Sequence, residues 1–323
     1  MTQTLPDVVG PNEESVPPPT GTPTQRIEGR TPLQLAWARI RRDKVALTSA
    51  LFIVFLVLVA IFAPLICNLI GQDPYEQDRS ATGLTIDGIP VGPSSTHWLG
   101  TDEVGRDVLA RIIYGARISL EVGLLATAIA TAFGLFIGML AGFYGGRTDT
   151  FLSRAIDVVL SFPFVLTALS VVAVTGPRLS VTVLVISFFT WSSVARIVRG
   201  QVLSLREREF VEAARSLGAS NLRIMVVDIL PNLVAPLIVY STLLIPINIV
   251  SEATLSFLGL GVPIPTATWG VMLSNAANLY QVAWWYLAFP SLALLLTTLA
   301  FNLLGDGLRD ALDPRADRVL ARR

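Results

Sequence analysis

The sequence contains very few of the side chains that bind metals or form cross-links. Its 323 residues include one histidine and one cysteine. The lone cysteine, Cys67, excludes a disulfide within the chain and is interpreted as a small apolar residue that packs at the end of a hydrophobic run. His97 has no second histidine or cysteine to join it, so the sequence predicts no metal site, because zinc needs several such ligands.

Lysine and catalytic constellations are equally scarce. The only lysine, Lys44, lies in the stretch RRDKVA, whereas a nucleotide-binding Walker loop needs a lysine beside a glycine-rich turn. Serine, histidine and aspartate form no arrangement typical of a nucleophile and its base, and the adjacent carboxylates Asp102 and Glu103 have no such partner. We therefore predict that this chain is not an enzyme and that it holds no cofactor, nucleotide or metal of its own.

Charged residues are also scarce. Only 15% of the residues are charged, 52% are hydrophobic and the mean hydropathy is +0.62. Six stretches lack Asp, Glu, Lys, Arg and His, and each is near or above the roughly 20 residues that cross a bilayer as a helix. These stretches are 45–72, 122–146, 158–177, 179–195, 229–251 and 253–305. The composition predicts an all-α, polytopic membrane protein.

The last of these stretches decides the number of spans, because two spans within it would move the C-terminus to the other side. Four helix-breaking residues interrupt its first part, and aromatic residues typical of a membrane interface then begin one final span. The breakers are Gly259, Gly261, Pro263 and Pro265, and the aromatic residues are Trp284, Trp285 and Tyr286. We therefore predict six transmembrane helices.

The predicted spans have approximate bounds. The first is expected at 45–70 with a kink near Pro64, and the third and fourth are expected to form a hairpin. The later spans are placed at 156–175 (third), 179–197 (fourth), 233–256 (fifth) and 286–305 (sixth).

Basic residues are distributed unequally along this topology. With the N-terminus inside, all but five of the 24 basic residues fall in predicted cytosolic segments; the five are Arg79, Arg106, Arg111, Arg117 and Arg178. Cytosolic loops of membrane proteins carry such an excess. The sequence therefore predicts a bacterial cytoplasmic membrane protein with both termini in the cytosol.

The chain divides into five predicted segments. Two cytosolic tails, one of them disordered, enclose an N-terminal amphipathic helix, an exported loop and a core of spans 2 to 6. The bounds are 1–30 for the disordered tail, 31–70 for the amphipathic helix and first span, 71–118 for the exported loop, 119–307 for the core with its cytosolic loop at 200–230, and 308–323 for the C-terminal tail.

Small residues recur at every fourth position of the second span. Ala126, Ala130, Gly134, Gly138 and Gly142 would lie on one helix face, where another helix backbone can approach closely. We interpret Gly134, Gly138 and Gly142 as a helix-packing surface, with direct contact to a transported solute as the alternative.

Four polar residues lie within or near the predicted spans. Asn248 and Asn302 are candidates for lining a translocation path, although hydrogen bonds between helices explain them as well. Asp157 and Glu252 lie near span ends, where solvation at the interface or a salt bridge accounts for a charged group.

A polar insert, EFVEAARSLGASNLRIMVVDILPN, separates two long apolar runs at residues 209–232. Phe210, Ala214 and Leu217 share one face of a predicted helix, and Glu212 is expected to pair with Arg215 three residues later. The small residues Ala213 and Ala214 would let a partner surface approach the helix backbone.

Capping signals divide this insert into two helices. Gly218 is expected to end the first helix in the left-handed conformation, and Ser220 or Asn221 to begin a second one. Pro231 is expected to end the second helix before the fifth span. The insert is thus predicted to be a short helix, a sharp turn and another short helix on the cytosolic side.

These residues carry a resemblance to a known family. Glu212, Ala213 and Ala214, followed by Gly218 and by Leu230 with Pro231, resemble the EAA motif of permease subunits in bacterial ATP-binding-cassette importers. The family pattern would place an apolar residue at 228, where this chain has aspartate. Four further stretches resemble the dipeptide, oligopeptide and nickel class, in particular its six-span subunit with the shorter exported loop: HWLGTDEVGRDVLARIIYGARISL (97–120), AGFYGGRTDTFLSRAIDVVLSFP (141–163), LSFLGLG (255–261) and GDGLRDALDPR (305–315).

The resemblance implies a type I importer permease fold with a cytosolic coupling helix-turn-helix between spans 4 and 5. Residues that would contact an ATPase there are Glu212, Ala213, Ala214, Arg215, Leu217 and Gly218. It further implies a homologous second permease, two ATPase subunits that hold ATP and Mg, an extracytoplasmic binding protein, surrounding lipid and no nucleic acid. The implied cargo is short peptides, with nickel or another small solute as the alternative.

Two other classes of protein are alternatives to an importer permease. An ion-coupled secondary transporter would show ionisable residues within its spans and internal repeat symmetry, and the sequence shows neither. An interaction scaffold would need no bent spans and no contact with an ATPase. ATP, vanadate and an ionophore added to reconstituted vesicles distinguish these classes.

Overall fold

A computed structural model of the protein describes residues 39–312. The predicted tail at 1–30, most of the predicted amphipathic segment and residues 313–323 of the predicted C-terminal tail lie outside the described residues. Within 39–312 the regular structure is helical apart from two isolated β-bridges, Leu84 with Pro90 and Thr101 with Asp107.

Ten helical segments follow one another in the described residues, and one of them contains a π-helical stretch at Ile224–Ile229. They are α1 (Lys44–Ile61), α2 (Ala63–Ile70), α3 (Val108–Tyr144), α4 (Gly146–Ser161), α5 (Phe164–Thr175), α6 (Leu179–Leu205), α7 (Glu209–Ser216), α8 (Asn221–Phe257), α9 (Trp269–Ala276) and α10 (Trp284–Leu312).

Five of these helices, α1, α3, α6, α8 and α10, are long and apolar enough to cross a membrane. The third predicted span differs from expectation, because α4 and α5 meet at a bend of 82° instead of forming one straight helix. Phe162 at the bend is extended, with φ −80° and ψ 131°, as is usual for a residue that precedes a proline. Pro163 therefore explains the break.

The packing of α3 against α6 shows that this bent pair returns the chain across the bundle. Gly134, Gly138 and Gly142 face the carbonyl groups of residues 191, 195 and 199 in turn. Both series advance by four residues in the same direction, so α3 and α6 run parallel. Two consecutive parallel helices require that the chain return between them, which α4 and α5 provide, and the candidate spans number six when this bent pair counts as one.

Several boundaries differ from the predicted ones. The helix α3 begins at Val108, capped by the Asp107 carboxylate, which accepts from the Ala110 amide at 2.8 Å; eleven residues of the predicted exported loop, 108–118, are thus helical. The helix α10 continues to Leu312, beyond the predicted start of the C-terminal tail. The short helix α9, capped by Thr268, was not expected in the glycine- and proline-rich stretch. The break between α1 and α2 lies at Phe62, close to the predicted kink at Pro64.

The segment between α2 and α3 is attached to the bundle by a buried ionic network. The carboxylate of Asp102 accepts from Arg106 Nε at 2.6 Å and lies 3.2 Å from Arg111 Nε. Asn275 Nδ2 of α9 donates to Glu103 Oε1 at 2.8 Å. The adjacent acidic pair Asp102 and Glu103 therefore joins the predicted exported segment to α3 and α9.

The lone histidine lies between two carboxylates of the same segment. His97 is almost fully buried, with Nδ1 2.9 Å from Asp107 Oδ2 and Nε2 3.3 Å from Asp78 Oδ2. Hydrogen bonds from the Ser80 and Thr82 side chains and from the Ser80 amide hold the pKa of Asp78 well below its usual range.

The depressed pKa of Asp78 predicts a pH-dependent contribution to the order of the exported segment. A carboxylate whose pKa is lower in the folded state contributes its full stabilisation above its unfolded pKa, about 3.9, and loses this contribution progressively as the pH falls from there through the lower folded pKa. We expect Asp78→Asn to lower the amide protection of residues 80–105 at pH 7, and the difference from the parent to be much smaller at pH 2. The exposed Asp87→Asn is the matched control. An equal difference for Asp78→Asn at both pH values would contradict the prediction.

Candidate functional site

The helix α7 contains the motif residues and is attached to the bundle through one narrow face. Val211 is fully buried and Ala214 is half-buried. They pack in one apolar cluster with residues from the ends of α3 and α6 and from the start of α8, among them Met139, Phe143, Val198, Val202, Ile224, Met225 and Ile229. The site is therefore formed where α3 and α6 end and α8 begins.

The opposite face of α7 is exposed and carries most of the predicted contact residues. Glu212, Ala213 and Arg215 are exposed, and Leu217 just after the helix is 88% exposed. Phe210, which was expected to share one face with Ala214 and Leu217, is also exposed at 41%. Val211 is the anchoring residue, and the sequence analysis did not identify it.

The turn after α7 has the predicted capping geometry. Gly218 has a φ of +79°, in the left-handed region that glycine adopts without steric cost. The Ala219 amide donates to the Ala214 carbonyl at 3.0 Å and the Gly218 amide to the Arg215 carbonyl at 2.9 Å, which is the Schellman pattern. Ser220 then caps the next helix, accepting from the Arg223 amide at 3.4 Å.

The predicted end of the second short helix at Pro231 is wrong. The helix continues through Pro231 into the span, because the preceding residues 224–229 adopt a π-helical pattern in which the Leu230 amide donates to the Met225 carbonyl, five residues back. Asn232 Nδ2 donates to the Asp228 carbonyl at 2.7 Å and satisfies one acceptor near the proline. The insert and the span therefore form one continuous helix, α8.

Two arginines link this site to the end of α3. Arg206 Nη1 donates to the Gly142 carbonyl at 2.9 Å, and the Arg215 guanidinium lies 5.6 Å from the centroid of the Phe143 ring. No ion pair joins Glu212 to Arg215 in the described part of the chain, contrary to the expected pairing. The site is thus attached to α3 directly as well as through the chain connections to α6 and α8.

The glycine stripe lies at the closest approach between α3 and α6. A Cβ added to Gly134, Gly138 or Gly142 would lie 2.8, 2.6 or 2.9 Å from the carbonyl oxygen of Trp191, Ala195 or Arg199. Atoms do not approach at such distances, so only glycine fits. The three glycines are buried inside this chain, where they face α6.

Of the two asparagines in the spans, Asn248 makes the hydrogen bonds between helices that the sequence favoured over a translocation path. Asn248 is fully buried, donates to Thr127 Oγ1 at 2.8 Å and accepts from Thr190 Oγ1 at 3.0 Å. It connects α3, α6 and α8 and does not line an open path in this chain. Asn302 is exposed on α10.

Glu252 is placed differently from the predicted solvation or salt bridge at the interface. Its side chain is fully buried and accepts hydrogen bonds from Ser119 Oγ at 3.0 Å and Ser256 Oγ at 2.6 Å. Within the described residues no basic group pairs with it. Its burial arises because α3 and the loop before α9 cover this end of α8, which helical periodicity cannot reveal.

The chain is similar to known transport proteins over most of its length. Residues 134–318 match the family described as the inner membrane component of binding-protein-dependent transport systems, and residues 31–84 match the N-terminal transmembrane domain of oligopeptide transport permease C. The dipeptide transport system permease protein DppC of Alkalihalophilus pseudofirmus is 41% identical over 298 residues, which are 92% of this chain and 95% of the relative. The glutathione transport system permease protein GsiD of Escherichia coli is 44% identical over 286 residues, 88% of this chain and 91% of the relative.

A solved structure shares the fold. An inward-facing structure of the MetNI methionine ABC transporter superimposes with a TM-score of 0.53 at 16% identity, covering 63% of this chain and 96% of that chain. At this identity the likeness shows the helical architecture alone.

Proposed function

Because the chain belongs to the family of inner membrane components of binding-protein-dependent transport systems, and is a permease subunit of an ATP-binding-cassette importer, we propose that it moves short peptides into the cytosol. Relatives named for dipeptide and for glutathione transport support a peptide cargo. Nickel or another small solute is the alternative cargo.

The observation that supports ATPase coupling most directly is the division of α7 into two faces. Val211 attaches the helix to the bundle, whereas Glu212, Ala213 and Leu217 face away from it. Phe210 and Leu217 are exposed together with Leu222 of the next helix, and a group of exposed apolar side chains marks an interaction surface. We propose that α7 and the turn at Gly218 are held by an ATPase subunit.

The mechanism follows from the attachments of α7. Two ATPase subunits supply the free energy of ATP binding and hydrolysis, and their closure displaces the exposed face of α7. The contacts at Val211, Arg206 and Arg215 transmit this displacement to the ends of α3, α6 and α8. Since the glycine stripe brings α3 and α6 into backbone contact, the two helices move as one body, and the translocation path between the two permease subunits opens outward. Hydrolysis then allows the inward-facing arrangement to return.

The remaining partners and the topology belong to the same proposal. The chain is a component of a multi-subunit transporter, and we place beside it a homologous permease, two ATPase subunits and an extracytoplasmic binding protein. The exported segment, held to the bundle by Asp102 and Glu103, would receive the binding protein. Both termini and α7 would lie in the cytosol of a bacterium, in agreement with the distribution of arginines.

Reconstituted vesicles test the proposed function. With the neighbouring permease, ATPase and binding protein present, we expect uptake of a dipeptide to require ATP, to stop with vanadate and to continue in the presence of an ionophore. Uptake that proceeds without ATP and stops with the ionophore would identify a secondary transporter. No uptake of any solute, with a stable assembly still present, would favour a scaffold.

A further inference from the structure

The ring of His97 joins distant parts of the predicted exported segment. It lies between Asp78, near the start of the segment, and Asp107, which caps α3 at its end. Nδ1 is 2.9 Å from Asp107 Oδ2, and Nε2 is 3.3 Å from Asp78 Oδ2. Because the residue is only 3% exposed, water cannot replace either carboxylate. The contact therefore depends on which ring nitrogens carry a proton.

Both carboxylates are placed to accept hydrogen bonds. Side-chain hydrogen bonds from Ser80 and Thr82 hold the pKa of Asp78 low, so this group is ionised at neutral pH. Asp107 Oδ1 accepts from an amide at the start of α3, where the helix dipole favours a negative charge. A neutral imidazole has one N–H and one bare nitrogen, which would direct a lone pair at one carboxylate. Only the imidazolium donates on both sides.

The charged groups around the ring favour the same state. A cavity of about 260 Å³ beside it is lined by four carboxylates and, in the described part of the chain, by no basic side chain; they belong to Asp73, Glu76, Asp78 and Asp107. The arginines of the segment are engaged elsewhere, since Arg106 pairs with Asp102 and Arg79 donates to Gln77. Burial disfavours a charged ring, but two direct carboxylate partners oppose that effect.

We propose that His97 is held as an imidazolium between Asp78 and Asp107, and that loss of its proton to the external medium as the pH rises loosens the exported segment. Imidazole is the side chain that ordinarily changes charge between about pH 5 and 8. Its stabilising contact is present at the lower pH and is lost as the pH rises, the opposite direction to that of Asp78. This inference rests on the proposed function, in which the segment receives the binding protein and His97 is a positioning residue.

Nitrogen NMR of isotope-labelled histidine tests the charge directly. The chain has one histidine, so the signals of the whole complex that disappear in His97→Gln belong to His97. We expect both ring nitrogens to carry a proton at about pH 6 and one of them to lose it as the pH is raised. A ring with one bare nitrogen at about pH 6 would overturn the inference.

Two carboxylate variants identify what holds the proton. Asp78→Asn and Asp107→Asn each remove one charged partner, and asparagine retains the cap of α3 because it caps helices as well as aspartate does. Each is expected to lower the pH at which the ring loses its proton by about one unit. Asp87→Asn, at an exposed site of the same segment, should leave that pH unchanged. Identical titration of the parent and all three variants would show that the carboxylates do not hold the proton.

Amide hydrogen exchange, corrected for its intrinsic pH dependence, connects the proton to the segment. In the parent complex the protection of residues 80–105 is expected to fall about tenfold as His97 loses its proton, as the loss of one charge-assisted hydrogen bond predicts. In His97→Gln, protection should be low throughout and show no such step. Protection that stays constant in the parent while the ring loses its proton would refute the role of His97.

The affinity of the complex for its binding protein is expected to follow the same pH dependence in the parent and to lose it in His97→Gln. The same pH dependence in both would assign the effect to other groups and contradict a positioning role. ATP-driven uptake of a dipeptide at about pH 6 reports separately on the proposed function. Its absence would reject that function, whereas the NMR titration would still report the charge on His97.

Discussion

A Leu217→Asp substitution is expected to abolish ATP-driven uptake while the subunit remains folded in the membrane. Leu217 is 88% exposed and makes no contribution to the apolar cluster that anchors α7, so the change costs the isolated subunit little. Burying the new carboxylate against an ATPase without a partner is unfavourable. The loss of an apolar anchor at the centre of an interface costs about 2–4 kcal/mol, or roughly 30- to 1000-fold in affinity. Co-purification of the ATPase subunits with the permease measures this effect.

The control for Leu217 is an equally exposed aliphatic residue at the other end of the molecule. Ile86 in the exported segment is fully exposed, and Ile86→Asp is expected to leave ATPase retention unchanged. A second variant tests the helix and its turn together: Gly218→Pro combined with Glu212→Ala should insert normally and fail to couple. Full transport by that double variant, or retention of the ATPase by Leu217→Asp, would refute the coupling role.

Local chemistry made part of this site predictable. The left-handed turn at Gly218 and the cap at Ser220 depend on one or two residues and their immediate neighbours, so the sequence was sufficient. The π-helical stretch before Pro231 depends on how Ile224 and Ile229 pack into the cluster shared with α3 and α6. A proline rule applied to the sequence alone therefore gave a helix end where the structure has none.

Burial within the membrane was the least predictable feature. Asn248 and Glu252 are both polar residues of α8, and in sequence they are indistinguishable from groups that line a path or lie at the interface. Asn248 is buried by α3 and α6, and Glu252 is buried by α3 and the loop before α9. Both are contacts between distant parts of the chain. The bend at Phe162, in contrast, had a visible cause in the proline that follows it.

The coupling proposal and the glycine stripe depend on each other. The helix α7 is only eight residues long and makes few contacts, so it can transmit a displacement only if the helices that receive it move together. Arg206 donates to the Gly142 carbonyl at the end of the stripe, which places the proposed coupling site next to the close contact between α3 and α6. A looser contact between α3 and α6 would allow α7 to move without reorienting the bundle.

Gly138→Ala is therefore expected to be among the most damaging single-methyl changes in the protein. The added Cβ would lie 2.6 Å from the Ala195 carbonyl oxygen and 2.8 Å from Val198 Cβ, and the atom on the opposite side belongs to backbone that cannot rotate away. Overpacking costs about 1–3 kcal/mol, and against rigid backbone we expect the upper end of that range, which exceeds the roughly 1 kcal/mol that alanine gains over glycine in a helix. The thermal unfolding of the purified complex and the yield of folded subunit measure the loss.

Gly200 supplies the matched control for this prediction. It lies on α6, yet a Cβ there would meet no atom within 4 Å, so Gly200→Ala gains helix propensity without a collision and is expected to be neutral or slightly stabilising. The two variants add the same methyl group to interacting helices and differ only in the space available. If Gly138→Ala unfolded at the same temperature as Gly200→Ala, α3 and α6 would have to separate without loss, and the rigid contact on which the transmission from α7 depends would not exist.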